Sequence, residues 1–188
     1  MHLLFAGIAS VIGIACFIPY LRDIFRGTTK PHRYTWFVWA ALQTVVAQAM
    51  WRSGAGIAVA PLVIGAVMCF FIFLLSLKYG SKAKGWGTKT FDLVCLAGAL
   101  CAIAAYVFFH DALLSVVLAT ITDTLGFLPT LRKVYHEPHS ETASTHLLSG
   151  TSNVFALAAL ASFSVTTVLY LATIMILDFL CGFLALRK

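Results

Sequence analysis

Apolar residues run along this chain in long blocks separated by short polar stretches. The blocks are too continuous for half-buried strands or for helices with one wet face. A helix needs roughly 20 apolar residues to cross the hydrocarbon core of a bilayer. Seven blocks approach that length: 3–21, 34–51, 54–77, 90–109, 112–131, 145–163 and 166–186. Only Trp51, Arg52 and Ser53 divide the second from the third, which predicts a tight turn. A weakly polar stretch at 162–167 divides the sixth from the seventh. One unbroken helix across both would be far too long for a bilayer.

Composition turns this pattern into a class. The 188 residues are 61% hydrophobic and 11% charged, with mean hydropathy +0.93. A soluble domain carries about 45–50% apolar and about 25% charged residues. A water-soluble enzyme, a disordered chain and a nucleic-acid binder are therefore excluded, and an integral, multi-pass membrane protein of one small bundle is expected. The net charge of +6 is a matter of topology. With an external N-terminus, the alternate loops place Arg22, Arg26, Lys30, Arg33, Lys78, Lys82, Lys84, Lys89, Arg132, Lys133, Arg187 and Lys188 in the cytoplasm. Arg52 alone falls outside, a strong positive-inside asymmetry that also puts the C-terminus in the cytoplasm. Trp51 and Trp86 stand where interfacial aromatics are expected. Cys16, Cys69, Cys95, Cys101 and Cys181 lie within apolar runs and read as small core residues. The first block lacks a small-residue cleavage site and is expected to be retained.

The chain repeats itself at an offset of 110 residues. Phe17-Ile18-Pro19-Tyr20-Leu21-Arg22 falls on Phe127-Leu128-Pro129-Thr130-Leu131-Arg132. Without a gap, Thr35 then meets Thr145, Gln43 meets Asn153, Ile64 meets Ile174 and Lys78 meets Lys188. Residues 1–78 and 111–188 are thus expected to be two copies of a three-helix unit. Residues 79–110 supply a cytoplasmic loop and a linker helix. Three helices per copy would invert the second copy, and the linker restores its direction. The predicted fold is all-α: seven transmembrane helices as two parallel three-helix bundles joined by a linker helix, 3+1+3. Parallel repeats about an axis along the membrane normal are a transporter layout, with a midplane site between them. Pro19 and Pro129, at one depth in the two copies, are candidate hinges, because proline removes a backbone hydrogen bond and permits a bend. The alternative is that each ends its helix one turn later.

The 3+1+3 pattern, with proline near the inner end of helices one and five, resembles the PQ-loop superfamily. That superfamily holds the SWEET sugar transporters, the bacterial nicotinamide-riboside transporters and the KDEL receptors. The stretch from Pro19 to Pro31 looks like a PQ-loop signature, and the stretch from Pro129 to Thr145 is a weaker one. Tyr20 and Thr130 stand where the named glutamine would be, which leaves the subfamily open. The resemblance implies alternating access of a small solute. Sugar-transporting relatives flank their site with tryptophans and asparagines on the second and third helices of each repeat. Asn153 echoes that arrangement, whereas the matched third-helix pair, Met68 and Asp178, has no asparagine.

Two acids need an account of their own. Asp123 and Asp178 each precede an inner arginine by nine residues, roughly 13 Å along a helix. Both are then near mid-bilayer, where a charged side chain costs about 2.5–3.5 kcal/mol and faces the bundle interior. With Gln43 and Asn153 they can form one polar layer. The spans contain no Lys or Arg to neutralise them, so proton sharing or attraction of a cation is expected. The alternative is interhelical hydrogen-bonding glue. Both acids belong to the second copy, matching Gly13 and Met68 in the first. Trp36, Trp39, Gln43 and Met50 share one face of helix two. Trp39 is the candidate for stacking on a ligand, and Trp36 reads as an interfacial anchor. His136, Glu137, His139, Glu141 and His146 look metal-like, but their spacing matches no helical zinc motif, and they read as a solvated inner loop.

The substrate-binding candidates are thus Asp123, Asp178, Gln43, Asn153 and Trp39. The expected function is transport of a small polar solute (a sugar, vitamin-like molecule, amino acid or amine) by alternating access, with protons or a cation as the coupling option. The rival is a non-transporting receptor or accessory membrane protein on the same fold. A KDEL-type receptor would need a basic pocket, which the spans do not supply. A membrane enzyme is a third reading, but no nucleophile elbow, triad or phosphate loop accompanies the carboxylates. The expected partners are the lipid bilayer and the solute, with no nucleic acid, cofactor or metal and with homo-oligomerisation left open. The charge asymmetry makes a direct prediction. Cysteines introduced at Ser53 and His110 should react with an impermeant thiol reagent from outside, and cysteines at Lys84 and Glu137 only from inside; external labelling at Lys84 would overturn both orientation and repeat.

Overall fold

The computed structural model describes residues 1–27, 31, 33–80, 89–136, 138 and 142–187. Lys84, Glu137, His139 and Glu141 lie outside the described residues, as does part of each PQ-loop-like stretch. The described residues form seven α-helices and no strand: α1 His2–Phe25, α2 Arg33–Arg52, α3 Ala60–Tyr79, α4 Lys89–Phe108, α5 Ala112–His136, α6 Ala143–Ala158 and α7 Val165–Ala185. A short 3-10 turn, Gly56–Val59, leads into α3. The break between α6 and α7 falls just before the weakly polar stretch, and Ser164 caps α7 by exchanging hydrogen bonds with Thr167.

Four stretches are long and apolar enough to cross a membrane: His2–Phe25, Gly56–Tyr79, Ala112–His136 and Val165–Ala185. The other helices are shorter or more polar over their described residues. α6 has 16 residues, about 24 Å of helix. Within the 20-residue α4, the described apolar stretch is Leu93–Phe108. α2 carries Thr35, Gln43, Thr44 and Gln48 among its apolar positions. The surface is the inverse of a water-soluble one. Val11, Val67, Leu93 and Phe183 are more than 60% exposed, while Asp123, Asp178, Thr120, Thr122 and Ser152 are buried. Lipid tails accept the first set and polar partners inside the bundle accept the second.

The helices pair in matching ways in the two halves. α3 lies against both α1 and α2, and α7 lies against both α5 and α6. Across the halves α1 packs on α6 and α2 on α5, the former more extensively. α4 packs on α5 and α2. Where the α2–α3 and α6–α7 turns meet, one continuous core joins both halves, with Leu42, Val46, Met50, Val116, Leu160 and Leu171 at its centre. The turns themselves touch. Ala161 N–H donates to the Ala55 carbonyl at 3.2 Å, and His2 Nδ1 lies 3.1 Å from the Ala159 carbonyl. A Cβ on Gly56 would sit 3.1 Å from the Ala161 Cβ, and the glycine's φ of +64° is one that L side chains rarely adopt.

At the opposite end the core divides. Ile24, Trp36, Ala40, Cys69 and Ile72 form one cluster within α1–α3. Phe127, Val134, Cys181 and Ala185 form another within α5 and α7. Pro19 lies on α1 between the shared core and the first of these clusters. Neither proline ends its helix: α1 continues six residues past Pro19 and α5 seven past Pro129.

Glycines set the α6–α7 spacing. A Cβ on Gly150 would lie 3.0 Å from the Phe179 ring, and one on Gly182 would lie 2.7 Å from Leu147. Each helix thus receives a large side chain of the other at a position without one, a small-residue interface of the kind membrane helices use. Gly150→Val should wedge the pair apart and destabilise the protein by about 1–3 kcal/mol. Gly7→Ala, with nothing within 4 Å of the new Cβ, should not destabilise it. Thermal unfolding in detergent compares the two, and equal midpoints would refute the keyed interface.

Candidate functional site

A cavity of about 160 Å³ opens between the two divided core clusters. Its walls come from the C-terminal halves of α1 and α5, the N-terminal halves of α2 and α3, the first two-thirds of α6 and the middle of α7. All five sequence candidates, Asp123, Asp178, Gln43, Asn153 and Trp39, line this one cavity. The 110-residue offset is visible in the lining itself. Gly13 and Asp123, Phe17 and Phe127, Trp36 and His146, Trp39 and Ser149, and Gln43 and Asn153 are matched positions, and all ten line the cavity. The two halves therefore contribute the same positions and different chemistry: aromatic from the first, acidic and hydroxylic from the second.

The acids have separate partners. Tyr170 Oη donates to Asp123 Oδ2 at 2.6 Å, with both residues buried, and the Trp39 indole reaches the same carboxyl. Asp178 Oδ1 lies 2.9 Å from His146 Nδ1, and Asp178 Oδ2 accepts from Ser149 Oγ at 2.5 Å. The expected proton sharing between the two carboxyls is thus replaced by two independent pairings. A buried carboxylate is costly unless it is paired and hydrogen-bonded, and each acid meets that condition within the bundle.

Two further expectations are corrected. His146 belongs not to a solvated loop but to the first turn of α6, half-enclosed beside Asp178, Cys181 and the Phe127 ring. The spans thus hold an imidazole partner where a search for Lys and Arg found none. Trp36 is not an interfacial anchor. It is 7% exposed, donates its indole N–H to Tyr20 Oη at 3.3 Å, and stands nearly perpendicular to Trp39 with ring centroids 5.2 Å apart. Met50, further along the same face of α2, is packed into the shared core.

The remaining polar groups are largely committed within the protein. Gln43 Nε2 lies 3.5 Å from Cys69 Sγ, and its amide occupies the space that a Cβ on Gly65 would need. Asn153 Nδ2 donates to the Ser149 carbonyl at 3.2 Å. Ser152 Oγ donates to the Ala9 carbonyl at 2.8 Å, a bond between α6 and α1 that brings the hydroxyl to 3.2 Å from where a Gly13 Cβ would be. Close packing of α1 on α6 therefore leaves no room at position 13 for the acid that position 123 carries on the looser α5 side. Among the described residues, Thr145 Oγ1 is the buried side-chain oxygen left without a partner, and Thr145 lines the cavity.

Sequence reasoning missed His146, Ser149 and Tyr170. The repeat could have found the first two, since they match Trp36 and Trp39. They also fall at i, i+3 and i+7 with Asn153, one helical face. No family model, curated protein or solved structure matches the chain.

Pairing of His146 with Asp178 makes a quantitative prediction. His146→Leu leaves a buried acid without its imidazole and should cost about 3–5 kcal/mol, whereas His146→Leu combined with Asp178→Leu should recover most of that loss. Chemical unfolding in detergent gives the coupling, and strict additivity would show that the two groups do not act as a unit.

Proposed function

We propose that this chain is a multi-pass membrane transporter that moves a small polar solute through the central cavity by rocking one three-helix unit against the other. The observation that carries this reading is the division of the core. The halves share one core at the end of the two turns and keep separate cores at the other, with a cavity lined by repeat-matched positions between them. A pivot at one end and a cleft at the other is the geometry that hinge closure needs. The helix pairings support the 3+1+3 layout: α1–α3 and α5–α7 pair alike, and α1–α6 mirrors α5–α2. α4 then serves as the linker.

In this reading the turns lie outside and the cleft faces the cytoplasm, in accord with the distribution of basic residues. The PQ-loop resemblance agrees with the same layout. A cavity of about 160 Å³ is smaller than the roughly 300–1,000 Å³ of drug-sized sites, which suits a metabolite-sized solute. The contacts between the turns, one backbone hydrogen bond and close glycine packing beside the shared core, hold the two units together at the pivot. Pro19 and Pro129, each inside its helix, leave a backbone carbonyl one turn earlier without its usual donor and so permit the bend.

Proteoliposomes offered a library of small solutes, with and without a pH gradient, test the reading. Saturable uptake should appear for one chemical class. Pro19→Ala and Pro129→Ala should each slow it severalfold while leaving the unfolding midpoint unchanged. A protein that binds a solute saturably and never releases it on the far side would be the receptor alternative, and the transport reading would fail.

A further inference from the structure

The cavity's two walls differ in a way that selects among small polar solutes. Among the described residues its lining includes two carboxyls, Asp123 and Asp178, and one imidazole, His146, and no Lys or Arg. An anion would meet carboxyls with no fixed cation to hold it. A sugar would need a ring of free hydrogen-bonding groups, and the lining does not offer one. Ser149 is committed to Asp178, Ser152 to Ala9, Asn153 to the Ser149 carbonyl and Gln43 to Cys69. The first unit instead supplies aromatic surface. Tyr20 and Trp36 have ring centroids 4.9 Å apart at 50°, and Trp36 and Trp39 stand 5.2 Å apart at 86°. The two indoles meet edge to face and both line the cavity, so a group seated in the corner between them meets aromatic surface.

Resting on the transport reading for the role of this cavity, we infer that its substrate is a small organic cation, an amine or quaternary ammonium, whose charged head sits in the Trp36–Trp39 corner and faces Asp123. Ring faces attract an ammonium through their quadrupole, best with Trp and more strongly when water is excluded. Asp123, approached by the Trp39 indole and held by Tyr170, supplies the opposite charge across the same space. His146 offsets the other acid, Asp178, so one carboxyl remains for one monovalent head. Thr145 Oγ1, buried on the lining without a partner, is available to hydrogen-bond a polar group on the rest of the molecule.

Binding to purified protein in detergent tests the class without requiring transport. The probes are choline and tetramethylammonium, against the neutral choline isostere 3,3-dimethylbutan-1-ol and against glucose, each followed by calorimetry. In the unaltered protein a quaternary probe should bind at least about tenfold more tightly than the neutral isostere, and glucose should not compete. Trp39→Leu and Asp123→Asn should each weaken the cation about tenfold and the isostere by much less, while Trp39→Phe, which keeps a ring face, should fall between. Thermal unfolding identifies any variant that has lost its fold, and the isostere comparison needs no variant. Equal affinity for cation and isostere, or glucose binding more tightly than either quaternary probe, would overturn the inference and leave transport of a neutral solute standing. Cation binding without uptake in proteoliposomes would uphold the site and defeat the transport reading.

Discussion

Everything in this bundle is arranged around the need to keep two carboxyls away from lipid and supplied with partners. An acid in an apolar bundle costs several kcal/mol unless something hydrogen-bonds it. For Asp178 that something is on α6, so α6 must lie close enough for His146 and Ser149 to reach across. The close approach is possible because Gly150 and Gly182 give up their side-chain volume. For Asp123 the partner is Tyr170 on α7, which ties α5 to the same helix. α7 thus stands at the centre of the second half because both acids are satisfied through it.

The same economy explains where the hollow falls. At the end of the two turns the facing residues are small or aliphatic and pack into a single core. Toward the other end aromatic and polar side chains replace them, and these cannot interlock across the midline without stranding their hydrogen-bonding groups. The two units therefore close on their own interiors, and a cavity is left between them. A shared core at one end and a hollow at the other follow from one gradient of side-chain chemistry along the helices.

Much of this was legible in the chain before any coordinates. Continuous apolarity is demanded by lipid, so block boundaries near 21, 52, 109 and 186 fall within a few residues of the helix ends. Asp123, Asp178, Gln43 and Asn153 stood out because a polar residue in the middle of such a block has nowhere to go but inward. Trp36 and His146 were harder. Both stand at the margin of a block, where the same residue serves equally as an anchor in the headgroups or as a wall of the interior, and hydropathy does not separate the two. Met50 continues the face of Trp36, Trp39 and Gln43, but the cavity does not extend that far, and by that depth the face looks into packed core.

The 110-residue correspondence of the lining has a consequence for what one unit could achieve alone. Two identical units meeting about a twofold axis present every group twice, since such an interface is built from the same patch on both sides. Position 13 would then be acid in both or glycine in both, and the tryptophans would face tryptophans. Joining two copies in one polypeptide lifts that restriction. Each copy is free to drift at the shared positions, so one binding chamber can carry an aromatic side and an acidic side at once. None of the described residues of α4, the helix between the two halves, lines the cavity, so its front and back come from the helices on either side of it in the chain.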